Sequence, residues 1–110
     1  MGIELELHSG RPRKGSSRAT LLRVSYAHGD ALARALLSAL DRHGSGKLGW
    51  VDPYGDTMFN EQEAEVARQE VAVLVRKCSD EGQRAALLDL GVLLEACTAT
   101  PGSYLWFMGD

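Results

Sequence analysis

The sequence predicts an α+β fold: a small antiparallel or mixed sheet of three to four strands, in the order β-β-α-α-α-β, with helices packed on one face. Three observations predict it. Two segments near the start, 3–7 and 22–26, place apolar residues at every second position. Three segments with apolar residues at helical spacing follow, bounded by recognisable cap and stop residues. A last run, Tyr104 to Met108, is apolar at every position. At 110 residues the chain suffices for one core and not two, so residues 1–110 read as a single domain.

Each element has its own warrant. Ile3, Leu5 and Leu7 alternate with Glu4, Glu6 and His8, the period of a half-buried strand. Residues 9–19 are rich in Gly, Ser and Arg without apolar periodicity, which marks a loop. Leu22, Val24 and Tyr26 then alternate with Arg23 and Ser25. Strand, loop and strand make an antiparallel hairpin with an overlong tip. Asp30 suits the N-cap of a helix to about His43, whose stripe is Leu32, Ala35, Leu36, Ala39 and Leu40, with Gly44 as its stop. Residues 44–59 are turn-rich, with a short extended piece at 48–51.

Asn60 and Glu63 form a capping-box pattern for the second helix, whose inner face is Ala64, Ala67, Val71, Leu74, Val75 and Cys78. Asp80 and Gln83 open the third helix in the same manner. Leu87, Leu90, Gly91, Leu94 and Thr98 line one side of it. Leu88, Val92 and Leu93 leave little polar surface, so contact on two sides is expected. The short link at Ser79-Asp80 makes the last two helices an antiparallel hairpin. Thr100-Pro101-Gly102 ends the third helix, and the tail strand Tyr104–Met108 is expected to be interior, because five successive apolar residues at an open edge invite aggregation.

Composition excludes several classes of function. An apolar fraction of 45% with 25% charged residues is ordinary for a soluble globular chain. No run approaches the roughly 18–20 apolar residues of a membrane span. Acidic Glu4 and Glu6 stand where a signal peptide would be basic, so a cytoplasmic location is expected. Cys78 and Cys97 are too few for a disulfide framework or a zinc site and read as small buried hydrophobes. The net charge of −3 is unevenly spread: residues 1–47 hold eight Lys/Arg against four Asp/Glu, and residues 48–110 hold four against eleven. Arg11, Arg13, Lys14 and Arg18 concentrate the basic excess in one loop. Without interleaved aromatics and a basic chain overall, that loop does not indicate nucleic-acid binding.

The two segments richest in chemistry are Trp50-Val51-Asp52-Pro53-Tyr54-Gly55-Asp56-Thr57-Met58-Phe59-Asn60 and Tyr104-Leu105-Trp106-Phe107-Met108-Gly109-Asp110. They contain both Trp, both Phe and two of the three Tyr, and each joins aromatics to Gly-Asp. They are expected to meet in the fold and build one feature. Asp52-Pro53-Tyr54-Gly55-Asp56 is first a turn, with Pro setting φ, Gly free to take positive φ, and Asp accepting backbone N–H groups. The functional alternative is an acidic pocket in which Asp52, Asp56 and Asp110 converge between Trp50, Tyr54 and Trp106, with Asn60 alongside. Oxygen-rich clusters bind hard cations, but the spacing does not match a twelve-residue EF-hand loop. There is no Gly-x-Ser-x-Gly, Walker, His-Glu-x-x-His or Cys-x-x-Cys motif, and no cofactor fingerprint. His8, His28 and His43 are paired with no nucleophile in the sequence.

On Asp52-Pro53-Tyr54-Gly55-Asp56-Thr57-x-Phe59-Asn60, on Tyr104-Leu105-Trp106-Phe107-x-Gly109-Asp110, and on the opening Gly2 to Leu7, the chain resembles a family of small bacterial proteins that carries no established activity, substrate or cofactor. Small proteins of this shape resemble immunity and antitoxin proteins, which bind and inhibit a partner. The expectation is therefore a non-enzymatic protein-interaction module that uses Trp50, Asp52, Tyr54, Asp56, Asn60, Trp106 and Asp110. The alternative is a small-ligand or divalent-metal-binding protein, or an enzyme, built on the same residues. Neither nucleic acid nor membrane is an expected partner.

Overall fold

A computed structural model describes residues 2–11, 20–43 (backbone alone from 39) and 46–109. Its elements run β1 (Ile3–His8), β2 (Leu21–Ser25), α1 (Gly29–His43), a 3-10 turn (Leu48–Trp50), β3 (Asp56–Asn60), α2 (Glu61–Lys77), α3 (Glu81–Ala99) and β4 (Tyr104–Gly109). The four strands form one antiparallel sheet in the order β2-β1-β4-β3, and the α+β architecture is the one expected. β3 is the addition. Residues 56–60 read as a turn ahead of a cap, yet Thr57 and Phe59 pair with Phe107 and Leu105 of β4 before the chain enters α2.

β4 lies between β1 and β3, as its unbroken apolar run predicts. Alternate residues of β1, β3 and β4 then divide between the two faces. Ile3, Leu5, Leu7, Phe59, Leu105 and Phe107 point to the helices, and each is at most 2% exposed. Phe59 and Phe107 meet edge to face at 5.0 Å between ring centres. Leu32, Ala33, Ala35 and Leu36 of α1, Ala64, Ala67 and Val71 of α2, and Ala86, Leu87, Leu90, Leu93, Leu94 and Cys97 of α3 complete this core. α3 packs against both α1 and α2, which gives its contact on two sides, while Leu88 and Val92 remain half exposed.

The helix boundaries follow local chemistry. Asn60 Oδ1 accepts the Glu63 N–H at 2.8 Å and the Glu63 carboxylate accepts the Asn60 N–H at 3.0 Å, the capping box in full. Asp80 caps α3 by accepting the Gln83 N–H at 2.8 Å. α1 departs from expectation. It begins at Gly29, so Asp30 lies inside the first turn, where it favours the helix dipole and pairs with Arg34 at 3.2 Å. Gly102, at φ 79°, makes the tight turn into β4 that a side chain would strain.

β2 holds a larger surprise. Its register sets Arg23 opposite Leu7 and Ser25 opposite Leu5, on the helix side, where Ser25 donates to the Asp89 carboxylate of α3. The apolar set faces away, leaving Leu22, Val24 and Tyr26 at 49%, 46% and 47% exposure. As an edge strand, β2 is placed by its hydrogen bonds to β1 and by the Ser25–Asp89 contact rather than by burial of its apolar residues. Residues 12–19, which hold Arg13, Lys14 and Arg18 of the basic loop, lie outside the described residues; Arg11 is exposed.

Candidate functional site

The two aromatic Gly-Asp segments do meet, along the β3–β4 ladder. Asp56 pairs with Met108, Met58 with Trp106 and Asn60 with Tyr104. Beyond the ladder the Gly109 N–H donates to the Gly55 carbonyl at 2.7 Å. The approach is so close that a Cβ at position 109 would sit 2.4 Å from the Pro53 carbonyl oxygen. Glycine is required there because two backbones touch.

The loop between the 3-10 turn and β3 is held at both ends. Glu70 of α2 accepts the Lys47 and Leu48 N–H groups at 3.0 and 2.9 Å, which fixes the start of the 3-10 turn. Leu48 and Val51 are buried beneath it. The Asp52 N–H donates to Thr57 Oγ1 at 3.0 Å, the Tyr54 N–H to Asp52 Oδ1 at 2.9 Å, and the Gly55 N–H to the Asp52 carbonyl at 3.3 Å. The result is alternation: Val51 is buried and Pro53, Gly55 and Thr57 are half-buried, while Trp50, Asp52, Tyr54 and Asp56 are exposed. Trp50 and Tyr54, at 72% and 71%, are the most exposed large apolar side chains among the described residues. Lys47 Nζ lies 5.0 Å over the Trp50 ring and 3.6 Å from the Glu63 carboxylate, so the indole is backed by a cation anchored to α2.

This geometry differs from the expected pocket in a definite way. Trp50 and Tyr54 stand out from the surface. Asp52 bends back to cap its own loop, and the Asn60 side chain is committed to α2. Trp106 lies on the sheet face away from the helices, across the ladder from Met58 and 5.8 Å from the His8 ring. Asp110 is outside the described residues. Among the described residues, no three or more of His, Cys, Asp and Glu are grouped to hold a metal ion. A shallow cavity of about 230 Å³ does open at the start of α2, lined by Asn60, Glu61, Gln62, Gly102, Ser103 and Tyr104. Its polar groups serve the fold: Glu61 accepts the Gly102 N–H at 3.2 Å, and the Ser103 hydroxyl donates to the Cys97 carbonyl at 2.9 Å.

His8 illustrates a second departure. It lies on the nominally polar face of β1 yet is fully buried, with Nδ1 2.8 Å from Thr20 Oγ1 and Nε2 3.0 Å from Glu6 Oε1. Tyr26 donates to the other Glu6 oxygen. The cluster ties β1 to the start and end of β2. Cys97 is buried in α3, as expected of a small hydrophobe. Burial pushes its thiol above the ordinary value of 9.0, and the Ser103 hydroxyl bonded to its sulfur acts the other way. A thiol so placed is a poor nucleophile.

Sequence reasoning missed Lys47 and Glu70, which set the pose of Trp50, and Met58 and Met108, which flank Trp106. The signal for the second pair was the alternation Thr57-Met58-Phe59, hidden by the capping residue that ends so short a strand. No family model, no curated protein and no solved structure matches the chain. No helix among the described residues is long and apolar enough to cross a membrane.

Proposed function

We propose that the chain is a non-enzymatic protein-interaction module that binds and inhibits a partner, in the manner of immunity and antitoxin proteins. The observation that carries this reading is the loop 50–56. Its two exposed aromatics are held on a backbone fixed by hydrogen bonds at each end, with Asp52 and Asp56 beside them. Trp and Tyr dominate the energetics of protein interfaces, and an ordered loop loses little conformational entropy on docking. The paired acids favour a partner surface with Lys or Arg.

The test is capture of a partner from cell lysate by the wild-type chain and by Trp50→Ala/Tyr54→Ala. The expected result is one stoichiometric protein held by the wild type and lost by the double variant, with both chains unfolding at the same temperature. Equal retention by the two chains, or no retained protein, would overturn the reading.

A further inference from the structure

We propose that the face of the sheet turned away from the helices is a second binding surface, and that it takes a cationic amphipathic helix of a partner protein. The antiparallel register defines this face row by row. Val24, Glu6, Trp106 and Met58 form the central row across all four strands, flanked by Glu4, Met108 and Asp56 on one side and by His8, Tyr104 and Asn60 on the other. All three helices pack on the opposite side, against the core residues of the strands. Leu22, Val24 and Tyr26 are half exposed here, and Met58, Trp106 and Met108 are only partly covered. The face therefore sets apolar residues of β2, β3 and β4 on either side of Glu4, Glu6 and His8 of β1, without any helix of the described chain to cover them.

Two features indicate what fits. The first is charge. Glu4 and Asp56 are exposed on this face and Glu6 lies on it bonded to His8 and Tyr26, whereas the only Lys or Arg within the four strands, Arg23, is opposite Leu7 and faces the helix side. A partly apolar surface with exposed acids and, among the strand residues, no cation selects an apolar ligand bearing Lys or Arg. The second is the Trp106 indole N–H, which is shielded from solvent and has no acceptor among the described residues. Buried donors are nearly always paired, so a ligand that shifts the Trp106 ring and supplies an acceptor would complete this one.

Dimensions and chemistry decide between occupants. Four strands spaced about 4.8 Å apart, and about five residues along each, present on the order of 300 Å². That is well short of the roughly 800 Å² each partner contributes to a standard interface, so a second copy stacked on this face is disfavoured. It would also set acids against acids. A helix about 10 Å across fits the width and, unlike an extended segment laid on the face, satisfies its own backbone. This surface meets the loop at Asp56 but includes neither Trp50 nor Tyr54, so its test does not depend on the role of those two aromatics.

The experiment uses the full chain carrying Trp50→Phe, which leaves Trp106 as the sole indole. It is titrated with a helical peptide of about eighteen residues with Leu at i, i+3, i+4, i+7 spacing and Lys elsewhere, and with a twin in which Glu replaces Lys. The expected result is salt-sensitive binding of the Lys peptide, at least about tenfold tighter than the twin. Amide shifts should concentrate at Val24, Met58, Trp106 and Met108, with a change in Trp106 emission. Glu4→Lys/Val24→Lys, at two exposed positions, should weaken binding about tenfold with unchanged thermal unfolding. Absent binding, equal affinity for both peptides, shifts confined to other surfaces, or self-association of the chain through this face would each overturn the proposal.

Discussion

The two faces of the sheet are built by the same four strands, residue by alternate residue, and they answer to different demands. On the covered face, Ile3, Leu5, Leu7, Phe59, Leu105 and Phe107 are uniformly apolar and lie against helices. On the open face, acids, a buried histidine, methionines and Trp106 are mixed, and one indole N–H lacks an acceptor among the described residues. Folding alone explains the first set. It does not require Val24 and Leu22 to stand half exposed, or acids to surround Trp106. The residues that folding leaves unexplained, together with the loop that presents Trp50 and Tyr54, are where a partner would be recognised.

The largest expected effect comes from removing the strand that both faces share. Deletion of residues 104–110 takes away the partner of both β1 and β3 and, with it, Leu105 and Phe107 from the core. Loss of one large buried aromatic costs about 3–5 kcal/mol, against a domain's total of roughly 5–15 kcal/mol. The truncated chain should show no cooperative thermal transition by circular dichroism; a retained transition would remove β4 from the centre of the fold.

Neighbouring residues on β4 sharpen the comparison. Phe107→Ala should cost about 3–5 kcal/mol in urea unfolding. Trp106→Ala, on the open face, should cost only about 1–2 kcal/mol, because it loses partial burial and contact with His8. Equal losses would mean that the open face is as much a core as the other.

Gly109→Ala drives a methyl into the Pro53 backbone and should cost about 1–3 kcal/mol by forcing the tail from the loop. Amide exchange of Gly55 and its neighbours would accelerate in the same variant. Asn60→Ala should cost about 1 kcal/mol and Asn60→Asp much less, since Asp preserves the acceptor of the capping box. If both substitutions were neutral, Asn60 would be free for the recognition role that its motif suggested.

Much of this was legible in the sequence, and the reasons are local. The caps at Asn60 and Asp80 are set by neighbours three residues away, and the tail's interior place follows from its unbroken apolar run. The meeting of the two aromatic segments was legible from their shared composition. β3 was not, because a five-residue strand that runs straight into its own helix cap shows too few alternations. The orientation of β2 was also hidden. Its pattern Leu22-Arg23-Val24-Ser25-Tyr26 reads as apolar side in, and only its register with Glu6 and the Ser25–Asp89 bond reverse it. For the site, the sequence named the exposed residues Trp50, Asp52, Tyr54 and Asp56 but grouped them into a pocket. A turn that caps itself through Asp52 instead throws its aromatics outward.

The outward pose of those aromatics is the central claim, and a photo-crosslinker tests it most directly. A benzophenone amino acid at position 54 in living cells should yield one cross-linked protein. The same probe at Leu88, half exposed on α3, should yield none, and Trp50→Ala should abolish the product from position 54. A loop that presents aromatics for recognition predicts that pattern. No cross-link from position 54, or the same products from both positions, would contradict it.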